Sequence, residues 1–162
     1  MPNRKSAVIA LGSNLQNPVE QVKSALAAID AHPQIKIEQI SSLYITVPVG
    51  YDDQPDFVNA VCAVSTTLEG KDLLAALNRI EADFGRERTF RNAPRTLDLD
   101  IIDYDHQSSG NPHLTLPHPR AHERSFVMKP LAEILPDFEL GEYGRAADIA
   151  ARLGDDGIKL CS

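Results

Sequence analysis

Arg95-Thr-Leu-Asp-Leu-Asp-Ile-Ile-Asp103 decides how this chain is read. Its alternation has period two: Leu97, Leu99 and Ile101 face one way, Asp98 and Asp100 the other, which predicts a strand with one face against helices. Side chains two apart on a strand project from one face ~6.6 Å from each other. Carboxylates so placed repel unless they are hydrated or share cations, and hard oxygen ligands of this kind suit Mg²⁺. Just upstream stand Arg86, Arg88, Arg91 and Arg95. Guanidinium groups beside Mg²⁺ are a common means of holding a polyphosphate. The plain alternative is a strand with its polar face in water and an arginine-rich loop paired to it; alternation alone does not separate the two.

The chain has 162 residues, which predicts a single domain over 1–162 with a hydrophobic core and no room for a fused partner domain. Net charge is −7 and the pI about 5.1, which argues against wholesale binding to nucleic acid or to an acidic membrane surface. Against that acidic background the local arginine cluster favours a small anionic ligand. Cys62 lies in an apolar run and reads as a reduced core residue, as expected of a cytoplasmic protein. The apolar run Ala7–Leu11 is too short for a signal-peptide core, and no stretch is long enough to span a membrane.

Taken in order, Ala7 to Leu11 predicts a buried strand ending in a turn at Gly12-Ser13-Asn14. Asn17, Pro18 and Glu20 mark a helix start with a side-chain cap, and Val19, Val22, Leu26 and Ile29 form its apolar stripe up to His32-Pro33. Ile35 to Ile45 reads as one strand with Ile35, Ile37 and Gln39 on one side, and Thr46 to Pro55 as a loop. Phe57 to Thr67 is a long strand. Its Val58, Ala60, Cys62 and Val64 face helices, while Phe57 and Asn59 share the other face, suited to stacking on a flat ring and bonding its edge. A Phe57 in the core and an edge-bonded Asn59 is the plain alternative.

A helix follows over Gly70–Phe84, carrying Asn78 and Glu81 near the arginine loop. Tyr104 to Pro112 is a hairpin or loop, Leu114 to Arg120 is extended and carries His118, and Ser125–Leu135 and Arg145–Leu153 are helices. The tail beyond Gly154 reads as loose. The order β-α-β, β-α-β predicts a ferredoxin-like α+β sandwich: one mostly antiparallel sheet with helices packed on it.

Several runs together are similar to the 6-hydroxymethyl-7,8-dihydropterin pyrophosphokinase family of folate biosynthesis. They are Ala10-Leu-Gly-Ser-Asn-Leu15, Tyr44-Ile-Thr-Val-Pro48, Asp53-Gln-Pro-Asp-Phe-Val-Asn-Ala60, Gly85-Arg-Glu-Arg88 and Ala93-Pro-Arg-Thr-Leu-Asp-Leu-Asp-Ile-Ile102. Leu116-Pro-His-Pro-Arg-Ala-His-Glu-Arg-Ser-Phe-Val127 and Lys129-Pro-Leu-Ala-Glu-Ile134 complete the set, over about residues 7–136.

The resemblance implies transfer of pyrophosphate from ATP, the co-substrate, to the hydroxymethyl group of the reduced pterin, with release of AMP. It implies Asp98 and Asp100 as ligands of two Mg²⁺ ions and Arg86 and Arg95 as phosphate-gripping catalytic residues. Arg88 and Arg91 of the same loop, with Asn78, Glu81, Ile101, Thr115, His118 and Arg124, are implied for ATP. Thr46, Val49, Phe57, Asn59 and Phe126 are implied for the pterin, the two phenylalanines sandwiching its ring. A monomer is expected, with association to other folate-pathway enzymes in view because the family is sometimes fused to them. The chain departs from the family in having no Trp, with Asn92 two before Pro94. The arginine loop is also one residue short, which leaves Arg91 without a fixed counterpart. Competing expectations are a two-metal phosphohydrolase or nuclease on the same aspartates, and a ferredoxin-like RNA-binding module. The first lacks a further metal-ligand cluster; the second conflicts with the charge and with 6% aromatic content.

Overall fold

The computed structural model describes residues 4–14, 17–46, 56–85, 97–154 and 157–161. The strands are β1 (Lys5–Ser13), β2 (Ile35–Ile40), β3 (Tyr44–Thr46), β4 (Phe57–Thr66), β5 (Leu97–Tyr104), β6 (Ser109–Asn111), β7 (Leu114–Leu116) and β8 (Ile158–Leu160). The helices are α1 (Pro18–Ala31), α2 (Gly70–Gly85), α3 (Ser125–Ile134) and α4 (Ala146–Leu153), with a 3₁₀ turn at Ala121–Glu123. The main sheet runs β5-β1-β4-β3-β8, with β2 also on β4, and each of these pairings is antiparallel. Up to β5 this is the expected β-α-β, β-α-β sandwich. β6 and β7 pair as a separate hairpin.

Alternation along the strands divides the core in two. Ala7, Ile9 and Leu11 of β1, Val58, Ala60, Cys62 and Val64 of β4, and Leu97, Leu99 and Ile101 of β5 pack with Val22 and Ile29 of α1 and Leu73 and Leu77 of α2. Val8, Ala10, Val61 and Ile102 point to the opposite face, under Val127, Met128 and Leu131 of α3 and Ile149 of α4. Cys62 and Cys161 are both free; burial pushes the Cys62 thiol up to about 12, with the Asp30 charge adding to it.

Six local expectations change. Gly12 is not a turn: β1 continues through Ser13, paired on both sides. Asn17 does precede α1, but it sits in the left-handed region at φ 57° and its side chain makes no cap, so Pro18 at the helix start carries the signal. The single strand over 35–45 is broken in two. Ser41 turns its hydroxyl to the Val61 N–H at 2.9 Å while its own N–H bonds the Val61 carbonyl at 2.9 Å, so the side chain stands in for a ladder carbonyl. A bulge between Ile37 and Gln39 puts Gln39 on the α3 face, where its amide donates to the Ile134 carbonyl at 3.3 Å. Finally, the tail is not loose: β8 pairs with β3, and the Cys161 N–H bonds the Leu43 carbonyl at 2.8 Å. Thr46 accordingly closes β3 rather than opening a loop.

Candidate active site

Strand register assembles the site. Gly12 of β1 lies opposite Asp98 of β5 on one side and Asn59 of β4 on the other, and Asn59 lies opposite Tyr44 of β3. The row Asp98–Gly12–Asn59–Tyr44 therefore crosses the sheet with its side chains on one face. Strands are ~4.8 Å apart, so the carboxylate strand and Asn59 are separated by about 10 Å. The next row is Asp100–Ala10–Val61, and its apolar members already belong to the core under α3 and α4. Asp98 is exposed and Asp100 half-buried.

Glycine is needed in the middle of this row. A Cβ at Gly12 would stand 2.7 Å from Asn59 Nδ2 and 4.0 Å from Phe57 Cδ1. Asn59 can lie over β1 only because that atom is missing. Its amide is oriented from the other side, since the Thr46 hydroxyl donates to Asn59 Oδ1 at 2.7 Å, which turns the NH₂ toward β1. Thr46 and Asn59 are both buried; Phe57, two residues along the same face, is half-buried.

Two residues are bonded to the outer edge of β5. Glu81 of α2 accepts the Leu99 N–H at 2.7 Å. Burial holds its pKa above the usual carboxylate range; the Leu99 bond opposes this, and the Asp98 and Asp100 charges reinforce it. His118 donates its N–H to the Ile102 carbonyl at 2.9 Å, and its Nδ1 accepts the Arg120 N–H at 3.1 Å, which leaves the ring proton on Nε2. Burial lowers the His118 pKa; Asp100 pulls it back, while Arg124 and Arg120 lower it further. The Ile101 side chain is in the core at 4% exposure. Its main chain, two residues from Leu99, faces the same outer edge. Thr115 of β7 is half-buried with its hydroxyl on the Asn111 carbonyl at 3.1 Å, and Asn78 is exposed on α2. Arg124, which precedes α3, holds its guanidinium carbon 5.6 Å from the Phe126 ring centroid.

Register and backbone bonds thus bring together Asp98, Asp100, Glu81 and His118 on β5 and its edge, and Asn59 and Phe57 two strands away, with Thr46 on the strand beyond. Val49, Arg86, Arg88, Arg91 and Arg95 lie outside the described residues. Among the described residues there is no group of three His, Cys, Asp or Glu able to hold a metal. Two carboxylates on one open face nevertheless fit Mg²⁺, which is commonly held by one or two carboxylates with water and substrate phosphates filling the other positions.

The fold defines the class first: a ferredoxin-like α+β sandwich extended by two helices on its second face. A wild-type Plasmodium falciparum HPPK-DHPS crystallised with pterin and p-hydroxybenzoate shares this fold at TM-score 0.72 and 14% identity. The match covers 94% of this chain and 43% of that one, so this chain spans less than half the length of that protein. The model of the 7,8-dihydro-6-hydroxymethylpterin-pyrophosphokinase family matches residues 8–136, and the chain belongs to that family. A Pseudomonas aeruginosa relative named 2-amino-4-hydroxy-6-hydroxymethyldihydropteridine pyrophosphokinase is 43% identical, over 93% of each chain. A Haemophilus influenzae relative of the same name is 47% identical, over 93% of this chain and 94% of its own.

Sequence reasoning missed Gly12 as a site residue, although a glycine inside an otherwise apolar strand is a signal of close approach. It also missed Tyr44 and Glu133. The Glu133 carboxylate accepts the Tyr44 hydroxyl at 2.7 Å, the Ser42 hydroxyl at 2.8 Å and the Ser42 N–H at 3.0 Å. No local pattern announces a bond between residues 89 apart.

Proposed function

We propose that this chain transfers the terminal diphosphate of ATP to the hydroxymethyl oxygen of 6-hydroxymethyl-7,8-dihydropterin, releasing AMP, as a step of folate biosynthesis. One observation carries the reading: the Asp98–Gly12–Asn59 row, with Asp100 in the row beside it, puts a carboxylate pair and an oriented amide on one sheet face. Their separation of about 10 Å suits phosphates beside a flat heterocycle.

In this reading the pterin lies against Phe57, with Phe126 on its other side, and its polar edge bonds Asn59. Thr46 fixes the Asn59 amide so that it meets the ring with a donor already aimed. Val49 completes the pocket. The nucleotide runs along the outer edge of β5, where the main chain of Ile101, the Nε2–H of His118, Glu81, Asn78, Thr115 and Arg124 receive it. Arg86 and Arg95, with Arg88 and Arg91, neutralise the phosphates. Asp98 and Asp100 would hold two Mg²⁺ ions, which supply positive charge to the phosphate oxygens. The protein's part is to align the pterin hydroxyl with the β-phosphorus. The pterin oxygen bonds the β-phosphorus as the bond from that phosphorus to the α,β-bridging oxygen breaks, the oxygen staying on AMP, and the hydroxyl proton passes to water. Positioning and electrostatics account for most of the acceleration in such transfers.

The chain acts as one pyrophosphokinase domain over 1–162, as a cytoplasmic monomer able to associate with neighbouring folate enzymes. No helix among the described residues is long and apolar enough to cross a membrane. Product analysis tests the activity. AMP should form only when pterin, ATP and Mg²⁺ are all present; ADP as the nucleotide product, or release of inorganic phosphate, would overturn the reading.

A further inference from the structure

We infer that Tyr44, Ser42 and Glu133 are positioning residues that set the separation of the two walls of the pterin site. This rests on the reading that Phe57 and Asn59 form one wall and Phe126 the other.

The geometry begins with the strand break at Ser41. Because β2 stops at Ile40 and β3 starts at Tyr44, the Ser42 N–H is turned out of the ladder and reaches Glu133. The carboxylate takes that N–H together with the Ser42 and Tyr44 hydroxyls, at 3.0, 2.8 and 2.7 Å. Three donors on one carboxylate fix its rotamer, and charge-assisted bonds are the stronger kind. Burial and the Glu133 bond both raise the Tyr44 pKa, so its hydroxyl stays a donor.

Each end of this cluster is tied to a wall. Tyr44 is the direct cross-strand neighbour of Asn59, and Thr46, two residues on, holds the Asn59 amide. Glu133 lies seven residues after Phe126, which is two helical turns, so both sit on one stripe of α3 about 10 Å apart along its axis. Gln39 bonds the Ile134 carbonyl and Ser42 bonds Glu133, so moving from β2 into β3 moves back along α3. That direction carries Phe126 toward the Thr46–Phe57 end of the sheet. Sliding or rotating α3 at Glu133 therefore changes the gap into which a flat ring must fit. None of the three residues is placed against the nucleotide edge of β5, so ATP should not sense them.

The experiment compares Tyr44→Phe, Glu133→Ala and Glu133→Gln with Asn59→Ala, measuring KM for pterin, KM for ATP, kcat and Tm. Tyr44→Phe should raise the pterin KM roughly fivefold, the effect of about one hydrogen bond, with ATP KM unchanged. Glu133→Ala should do more, and Glu133→Gln, which keeps an acceptor oxygen, should recover part of the loss. A fall in Tm with both KM values unchanged, or an equal rise in both, would overturn the inference and leave a merely structural clamp. Asn59→Ala separates this from failure of the site reading. An unchanged pterin KM in Asn59→Ala removes the pterin wall itself, whereas a raised KM there beside an unchanged Tyr44→Phe sinks only the positioning role.

Discussion

The two faces of the central sheet are made by the same three strands and have opposite fates. On one face β1, β4 and β5 present an apolar surface to α1 and α2, from Ala7 and Val64 to Leu97 and Val58, with the buried Ser13 between the last two. On the other, α3 and α4 cover Val8, Ala10, Val61 and Ile102, and the apolar surface stops there. One row further the residues become Asp98, Gly12 and Asn59. The covered face is under a packing constraint alone, so it reads as hydrophobicity. The half-covered face must keep polar groups oriented next to a core edge, and it does so with a missing Cβ and a threonine hydroxyl. What separates structure from function here is where a helix layer ends.

That contrast can be broken by substitutions on either face. Leu77→Ala, in a fully buried α2 position, should cost about 2–5 kcal/mol, seen in denaturant unfolding. Both KM values of the folded fraction should be unchanged; a shifted pterin KM would mean that the faces are mechanically coupled. Asp98→Asn or Asp100→Asn should lower kcat by at least ~10²–10³-fold, as for loss of one electrostatic stabiliser, with Tm within a degree or two of wild type. Near-normal turnover at saturating Mg²⁺ in either variant would remove the metal assignment.

Gly12→Ala sharpens the comparison, because it places one methyl in the row and none in either core. The obstructing group is the end of the Asn59 side chain, so the sheet should survive while the amide is displaced from its Thr46 bond. A pterin KM raised about tenfold, with a small change in Tm, is expected from losing one oriented hydrogen bond. A large Tm loss instead would make Gly12 a packing residue.

The smallest effect concerns Glu81, whose raised pKa means that the folded protein holds this proton more tightly than the unfolded chain does. Its contribution to stability is therefore present below the ordinary carboxylate range and is lost as pH rises through the folded value. Glu81→Gln keeps an acceptor for the Leu99 N–H without the charge. It should raise Tm at pH 7 by at most about 3 °C, with the gain vanishing on acidification. A gain that persists in acid would point to something other than charge.

The alternations of β1, β4 and β5 and the stripes of α1 and α2 are legible in the sequence because burial writes them as periods of two and 3.6. The aspartate pair is legible for the same reason. The break at Ser41 and the bulge before Gln39 are not: each is a single side chain substituting for, or stepping out of, a backbone ladder, and composition around them is unchanged. β8 was unreadable because three residues at a sheet edge, with Ile158 half-buried and Lys159 and Leu160 exposed, carry almost no burial signal. The row that joins Asp98 to Asn59 is legible only once register is known, since 39 residues of sequence separate partners of one strand.

The two cysteines offer a built-in chemical readout of how this sheet comes apart. Cys62 is in the central strand, fully buried, with its thiol pushed up to about 12, so alkylation there requires both exposure and release from the core. Cys161 follows the outermost strand and is half-buried, held by one backbone bond to Leu43. A thiol reagent should therefore label Cys161 through local fraying of the edge and Cys62 only through global opening. The ratio of the two rates, read by mass spectrometry on unmodified protein, would give the stability difference between the rim and the centre of one sheet without a single mutation.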